Sequence, residues 1–79
     1  MRIGMLNNRR VVLGKIFPLA DLEVGSWWAQ AAGTDRTVQI RAIEGNCVHY
    51  GTYAGDTTYE KDYFSFQSRY CLIVEQDNV

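Results

Sequence analysis

The sequence predicts a small, mainly β domain, built either as a barrel or as a strongly twisted antiparallel sheet of about five strands. Apolar and polar residues alternate on both sides of Gly45-Asn46, as in a β-hairpin with one buried and one solvent-exposed face. Other short β-like runs lie close by, separated by turns that contain Gly and Asp. The 79 residues predict a single domain over residues 1–79. Because 47% of them are hydrophobic, they can form a core, which is modest in so short a chain.

The first part of the chain predicts one strand and one short helical turn. The polar run at residues 7–10 favours a turn or a loose N-terminal arm over residues 1–10. Residues 11–17 are rich in β-branched side chains and end at Pro18, which predicts the first strand. Asp21 then opens a helical turn that ends within a few residues.

The middle of the chain predicts three strands. Residues 26–31 carry two adjacent Trp, whose rings project to opposite faces of a strand, so that only one ring enters the core directly. Residues 37–44 and 47–53 are the two strands of the hairpin. Ile43 breaks the alternation of the first of them. Gly45-Asn46 predicts a tight primed turn, because both residues tolerate a positive φ.

The last part of the chain predicts a mixed segment and a buried strand. Residues 59–67 interleave acids with aromatics, as in a turn of helix or a short irregular strand. Residues 69–75 are mostly apolar, as in a central strand, and residues 76–79 are a polar tail. We expect the core to contain one of the two Trp together with Val38, Ile40, Val48, Tyr50, Leu72 and Val74.

Charge and cysteine usage limit the class of protein. The first fifteen residues hold four bases and no acid, whereas the chain after Ile16 has a net charge of −5. That balance argues against a broad nucleic-acid footprint. The sequence contains no membrane-spanning segment and no secretory signal, which predicts a cytoplasmic protein. In that compartment we expect no disulfide between Cys47 and Cys71.

A pattern of Gly, Trp and alternating apolar positions covers residues 22–74. It consists of residues 24–28 (Val-Gly-Ser-Trp-Trp), 38–43 and 46–50, with Phe64 and Tyr70 downstream. This pattern resembles SH3-like barrels, and more narrowly the small accessory proteins of unknown function that phages and prophages encode. The resemblance implies an SH3-like barrel, a phage or prophage origin and action in the host cytoplasm. It carries no catalytic signature.

The residues predict no enzymatic chemistry. His49 is the single histidine and has no nucleophile or carboxylate at a known motif spacing. The acids Asp56, Glu60 and Asp62 do not match a calcium-binding loop, and two cysteines are too few for a structural zinc site. We therefore expect no catalytic residues, no metal site and no cofactor.

Acids interleaved with aromatic side chains predict a surface for binding another protein, because aromatics supply contact area and carboxylates steer a basic partner. The leading hypothesis is a non-enzymatic module that inhibits or modulates a host protein, such as a defence factor or a nucleic-acid-binding factor. The residues assigned to its binding surface are Trp28, Tyr53, Tyr59, Glu60, Asp62 and Tyr63.

The alternative hypothesis is a nucleic-acid-binding module of the SH3-like or OB-like kind. It would stack bases on strand aromatics and hold phosphates with a basic N-terminal arm that contains Arg9, Arg10 and Lys15. Edge strands of so small a fold also pair readily between copies, which leaves a homodimer open.

Overall fold

Seven strands and one α-helix follow one another in the computed structural model, which describes residues 2–6, 8–31, 36–52, 55 and 57–74. A hairpin of β1 and β2 precedes a five-stranded sheet with the order β6-β5-β4-β3-β7. A single 3-10 turn at Leu19–Asp21 lies between β2 and β3. The elements are β1 (Arg2–Leu6), β2 (Arg9–Leu13), β3 (Trp27–Gln30), β4 (Thr37–Glu44), β5 (Cys47–Thr52), β6 (Tyr59–Asp62), α1 (Tyr63–Arg69) and β7 (Tyr70–Leu72).

The prediction of a mainly β domain is confirmed, and the structure takes the form of an antiparallel sheet of five strands. Among the described strands the sheet does not close into a barrel, because β6 and β7 lie at its opposite ends. The helix α1 occupies the seven residues between these two end strands. No helix in the described part of the chain is long and apolar enough to cross a membrane.

The central hairpin has the strand bounds and the turn that the sequence predicts. Glu44 lies opposite Cys47, so the loop consists of Gly45 and Asn46 alone. Gly45 has a φ of 60°, while Asn46 is not in the positive region. This pattern of signs is that of a type II′ turn, one of the two primed turns that follow the natural twist of a hairpin.

A β-bulge in β4 explains the broken alternation at Ile43. Ile40 lies opposite Tyr50, but the register then shifts, so that Ile43 lies opposite the core residue Val48. Arg41 is the extra residue. Its Nη2 donates to the Thr52 carbonyl at 2.8 Å, which fixes the bulge from the opposite strand.

The core contains most of the predicted residues and several aromatic ones that were not predicted. Val74 is not part of the core cluster, and Leu72 packs at its margin. Phe66 is fully buried, with its ring centroid 5.1 Å from that of Trp28 and 4.9 Å from that of Tyr50. Burial raises the pKa of Tyr50. The cluster consists of Leu22, Trp28, Val38, Ile40, Val48, Tyr50, Phe66 and Tyr70.

The N-terminal region differs from the loose arm expected over residues 1–10. Residues 2–6 pair with β2 in register from Arg2 opposite Leu13 to Leu6 opposite Arg9, and Asn8 takes a φ of 68° in the turn. The expected strand at residues 11–17 is shifted, because β2 begins at Arg9 and ends before Gly14, whose φ is 69°. The arm is therefore a hairpin.

A buried glutamine ties α1 to the connector that follows β2. The Gln67 Oε1 accepts a hydrogen bond from the Phe17 N–H at 2.8 Å, and its Nε2 donates to the Phe17 carbonyl at 3.0 Å. The same Nε2 donates to the Tyr63 carbonyl at 3.2 Å. The connector around Pro18 does not pair with a strand. The Gln67 side chain instead supplies the hydrogen bonds that the Phe17 backbone would otherwise make to a neighbouring strand.

Candidate functional site

The end strand β6 brings together three of the six residues predicted to bind a partner. In the described structure β6 pairs with β5 and has no strand on its other side. Tyr59 is 45% exposed, and Glu60 and Asp62 are exposed as well. Phe64, in the first turn of α1, is 60% exposed. We call these four residues, Tyr59, Glu60, Asp62 and Phe64, the acidic edge.

The strand register sets the faces of the acidic edge. Tyr59 lies opposite Tyr50, on the core side, with their ring centroids 5.8 Å apart. Glu60 lies opposite His49, and Asp62 opposite Cys47, on the outer side. One side of β6 thus presents an aromatic ring and the Lys61 side chain, and the other presents two carboxylates.

Asp62 also caps α1. Its Oδ2 accepts a hydrogen bond from the Ser65 N–H at 3.0 Å, which satisfies one of the free donors at the start of the helix. This backbone hydrogen bond holds the pKa of the Asp62 carboxyl below its usual range. Asp62 is therefore ionised at neutral pH.

Two of the predicted residues do not lie in the acidic edge, and a third is outside the described residues. Trp28 is 2% exposed and packs in the core, where its Nε1 donates to the Ser26 Oγ at 2.9 Å. Its assignment to the binding surface is corrected, because no ring face is open to a partner. Tyr63 is half-buried against the core. Tyr53 lies outside the described residues.

Phe64 belongs to the predicted run of interleaved acids and aromatics, but it is not among the residues assigned to the binding surface. The sequence signal for its exposure is a helical spacing of the inward-facing residues, which leaves Phe64 on the outer side of the helix. These inward-facing residues are Tyr63, Phe66, Gln67 and Tyr70.

The outer side of β5 carries a thiol and an imidazole among carboxylates. The Glu44 Oε1 lies 3.4 Å from the His49 Nε2. Desolvation raises the pKa of the Cys47 thiol, and the negative charges of Glu60, Asp62 and Glu44 raise it further. Because the thiolate is the reactive form, this environment weakens Cys47 as a nucleophile. In the described residues, no group of three or more His, Cys, Asp or Glu side chains is arranged to hold a metal ion.

A groove of about 1130 Å³ lies between the N-terminal hairpin and the sheet. Arg9, Arg10 and Trp27 line it, together with Glu23. Lys15, the third base of the nucleic-acid hypothesis, lies elsewhere, with its Nζ 5.2 Å from the centroid of the Phe17 ring. The structure therefore brings two of the three predicted bases to a site beside an aromatic side chain.

Comparison of the chain with models of known protein families, with curated proteins and with solved structures finds no match.

Proposed function

We propose that this chain is a non-enzymatic protein-binding module, of phage or prophage origin and acting in the host cytoplasm, that modulates a host protein. The observation that carries the proposal is the position of β6. It is an end strand that joins an unpaired backbone edge to exposed aromatic and acidic side chains. The resemblance of the sequence to phage and prophage accessory proteins supports the proposed origin.

The mode of binding that fits such a strand is β-augmentation, in which an extended segment of the partner adds to the sheet. Main-chain hydrogen bonds then supply affinity, and side chains on the two faces supply specificity. Glu60 and Asp62 on the outer face favour a segment with basic residues on that side. Proteins that bind nucleic acids carry such segments, which makes them suitable targets.

The environment of the polar groups supports binding over catalysis. Cys47 is held among carboxylates that disfavour its thiolate. His49 has a carboxylate neighbour in Glu44, but no nucleophile is paired with it among the described contacts. The charge on this side of the sheet comes from the carboxylates of Glu44, Glu60 and Asp62.

The proposal is tested by titrating a capped peptide of alternating Lys and Val residues into the protein, with calorimetric detection. We expect saturable binding that weakens about tenfold in Glu60→Lys, because one attractive cross-strand pair becomes repulsive. Tyr59→Ala should weaken binding as well. Glu23→Lys is the matched control, since it changes the net charge equally at an exposed acid away from β6. Equal losses in Glu60→Lys and Glu23→Lys would reject the acidic edge as the binding site.

A second candidate function is nucleic-acid binding in the groove. It is favoured by the presence of Arg9, Arg10 and Trp27 along one lining, because single-stranded binders combine bases with aromatic stacking platforms. Glu23 in the same lining and the acidic outer side of β6 count against it. The separation of Lys15 from the groove also reduces the number of bases available there.

A further inference from the structure

The two outermost strands, β1 and β6, lie at opposite ends of one continuous series. A bridge between Val11 and Ile73, with a 2.8 Å hydrogen bond from the Val74 N–H to the Arg10 carbonyl, joins the sheet to the N-terminal hairpin. Within the described residues, β1 pairs only with β2, and β6 only with β5. Each strand therefore has an edge that can accept another strand.

We propose that β1 of one copy pairs with β6 of a second copy, so that copies of this chain associate head to tail. The inference rests on the proposed function, because it names a partner for the same end strand. β1 has five residues and β6 has four, so the two strands are matched in length.

The face of the sheet that covers the core can be followed from β7 through β2 to β1. Leu72 packs against the core, so the next residue, Ile73, faces the outer side. Val11 pairs with Ile73 and shares that side. Alternation then puts Val12 and its partner Ile3 on the core side.

The side chains of the two strands consequently match face for face. On β1, Ile3 pairs with Val12 and lies on the core side, and Arg2 lies on the outer side. On β6, Tyr59 and Lys61 lie on the core side, and Glu60 and Asp62 on the outer side. Pairing the strands with their faces aligned sets the exposed Ile3 against the Tyr59 ring, and Arg2 against carboxylates.

Charge selects this pairing over the symmetric ones. Two β6 strands would bring the Glu60 and Asp62 carboxylates of both copies together, which is unfavourable. Two β1 strands would bring two Arg2 side chains together. The β1-to-β6 contact uses different patches on the two copies, so it forms open chains or rings rather than a two-fold dimer.

The test is sedimentation equilibrium of the full chain over a range of concentrations. We expect self-association with a Kd of about 10 to 100 µM, as for a small interface. It should weaken when NaCl is raised from about 0.1 M to about 1 M, because the screening length falls from ~10 Å to ~3 Å. Arg2→Glu and Glu60→Lys should each weaken it about tenfold, and Asp21→Lys, at an exposed acid of the 3-10 turn, should not.

The single variants separate this arrangement from the symmetric ones, because a β6-to-β6 pair would not respond to Arg2→Glu and a β1-to-β1 pair would not respond to Glu60→Lys. Mixing the two variants then tests whether Arg2 and Glu60 meet across the junction. An equimolar mixture of Arg2→Glu and Glu60→Lys regains one wild-type junction, between Arg2 of one variant and Glu60 of the other, so association should return. Circular dichroism should show that both variants remain folded, since both positions are exposed. Association of the wild type without recovery in the mixture would overturn the head-to-tail arrangement.

The outcomes also distinguish this inference from the proposed function. A wild-type chain that stays monomeric up to about 1 mM, beyond the Kd of weak specific complexes, would overturn self-association. If that chain still binds the Lys-Val peptide in a Glu60-dependent way, the proposed function stands alone. If Glu60→Lys changes neither self-association nor peptide binding, both proposals fail.

Discussion

Two of the residues predicted for binding also hold the junction between β6 and α1. The Asp62 carboxylate accepts the Ser65 N–H, and the Tyr63 N–H donates to the Asn46 carbonyl at 2.8 Å. Substitutions at these two positions would therefore change folding and binding together. Tyr59 and Glu60 carry no such capping contact in the described structure, so they are the positions at which binding can be tested.

The Asp62 cap of α1 makes the stability of the folded protein depend on pH. Because the pKa of Asp62 in the folded state lies below the ordinary value of 3.8, its contribution is present above that value. It is lost as the pH falls through the lowered pKa. Asp62→Asn keeps an acceptor for the Ser65 N–H but does not titrate, so its melting temperature should fall less than that of the wild type between about pH 5 and pH 2. Parallel profiles from thermal unfolding would contradict this assignment.

Ile40 tests the core at the level of a single side chain. It is 0% exposed and lies opposite Tyr50 in the central hairpin. Ile40→Ala should reduce the free energy of unfolding in urea by roughly 2 to 5 kcal/mol, because it leaves a cavity. Ile16→Ala is the matched control at an exposed position, with an expected change within about 0.5 kcal/mol. A loss below about 0.5 kcal/mol for Ile40→Ala would mean that the register is wrong.

The central hairpin is the element that organises the sheet, since β4 and β5 occupy its middle positions. Its turn requires a positive φ at Gly45, where an added Cβ would meet no atom within 4 Å. The requirement is therefore conformational and not one of space.

Gly45→Val should accordingly destabilise the fold by about 1 to 3 kcal/mol, because a β-branched residue is strained at positive φ. Gly45→Asn is the matched control, and it should lose less, since Asn enters this region more readily. Thermal or urea unfolding measures both. Equal stability of the Val and Asn variants would show that the turn has no need of positive φ.

The elements differ in how far the sequence predicts them. Alternation and a two-residue turn are local signals, and they predict β4 and β5 to within a residue. The broken alternation at Ile43 indicates an irregularity, but the contact of Arg41 with the carbonyl of Thr52 on another strand is not a local signal. β1 has a weak apolar pattern, and its formation depends on pairing with β2.

The candidate site was also predictable only as far as local sequence signals reach. Interleaved acids and aromatics mark residues 59–63 as a surface, and that signal is local. Strand order is not local, so the sequence does not show that β6 is an end strand. Adjacent Trp residues on one strand show that their rings separate, but not which ring enters the core. Packing against Phe17 and Phe66 puts Trp28 there.

Across the whole molecule, the described N-terminal hairpin carries bases and no acid, whereas β6, at the far end of the strand series, carries two acids with Lys61 between them. The N-terminal hairpin carries Arg2, Arg9 and Arg10, while Glu60 and Asp62 lie on the far end strand. A molecule charged in this way presents a basic patch too small to track a nucleic-acid backbone, and its net charge is −1. This charge pattern supports the proposed binding of another protein.

We therefore expect no useful affinity for nucleic acid. Labelled single- and double-stranded oligonucleotides titrated at about 150 mM salt should show a Kd no tighter than the roughly 10⁻⁴ to 10⁻⁶ M of non-specific binders. The double variant Arg9→Glu, Arg10→Glu serves as the control, and it should differ little from the wild type. Submicromolar binding that this variant abolishes would favour the second candidate function.

The Gln67 amide has a further consequence, for the chemical lifetime of the protein. Its Nε2 supplies hydrogen bonds to two carbonyl groups, those of Phe17 and Tyr63. Deamidation would exchange that nitrogen for an oxygen, remove both donors and place a negative charge in a buried position. Deamidation of Gln67 would thus remove hydrogen bonds that hold the connector to the helix. The burial of Gln67, which is 7% exposed, limits the access of water to this amide and so slows that change.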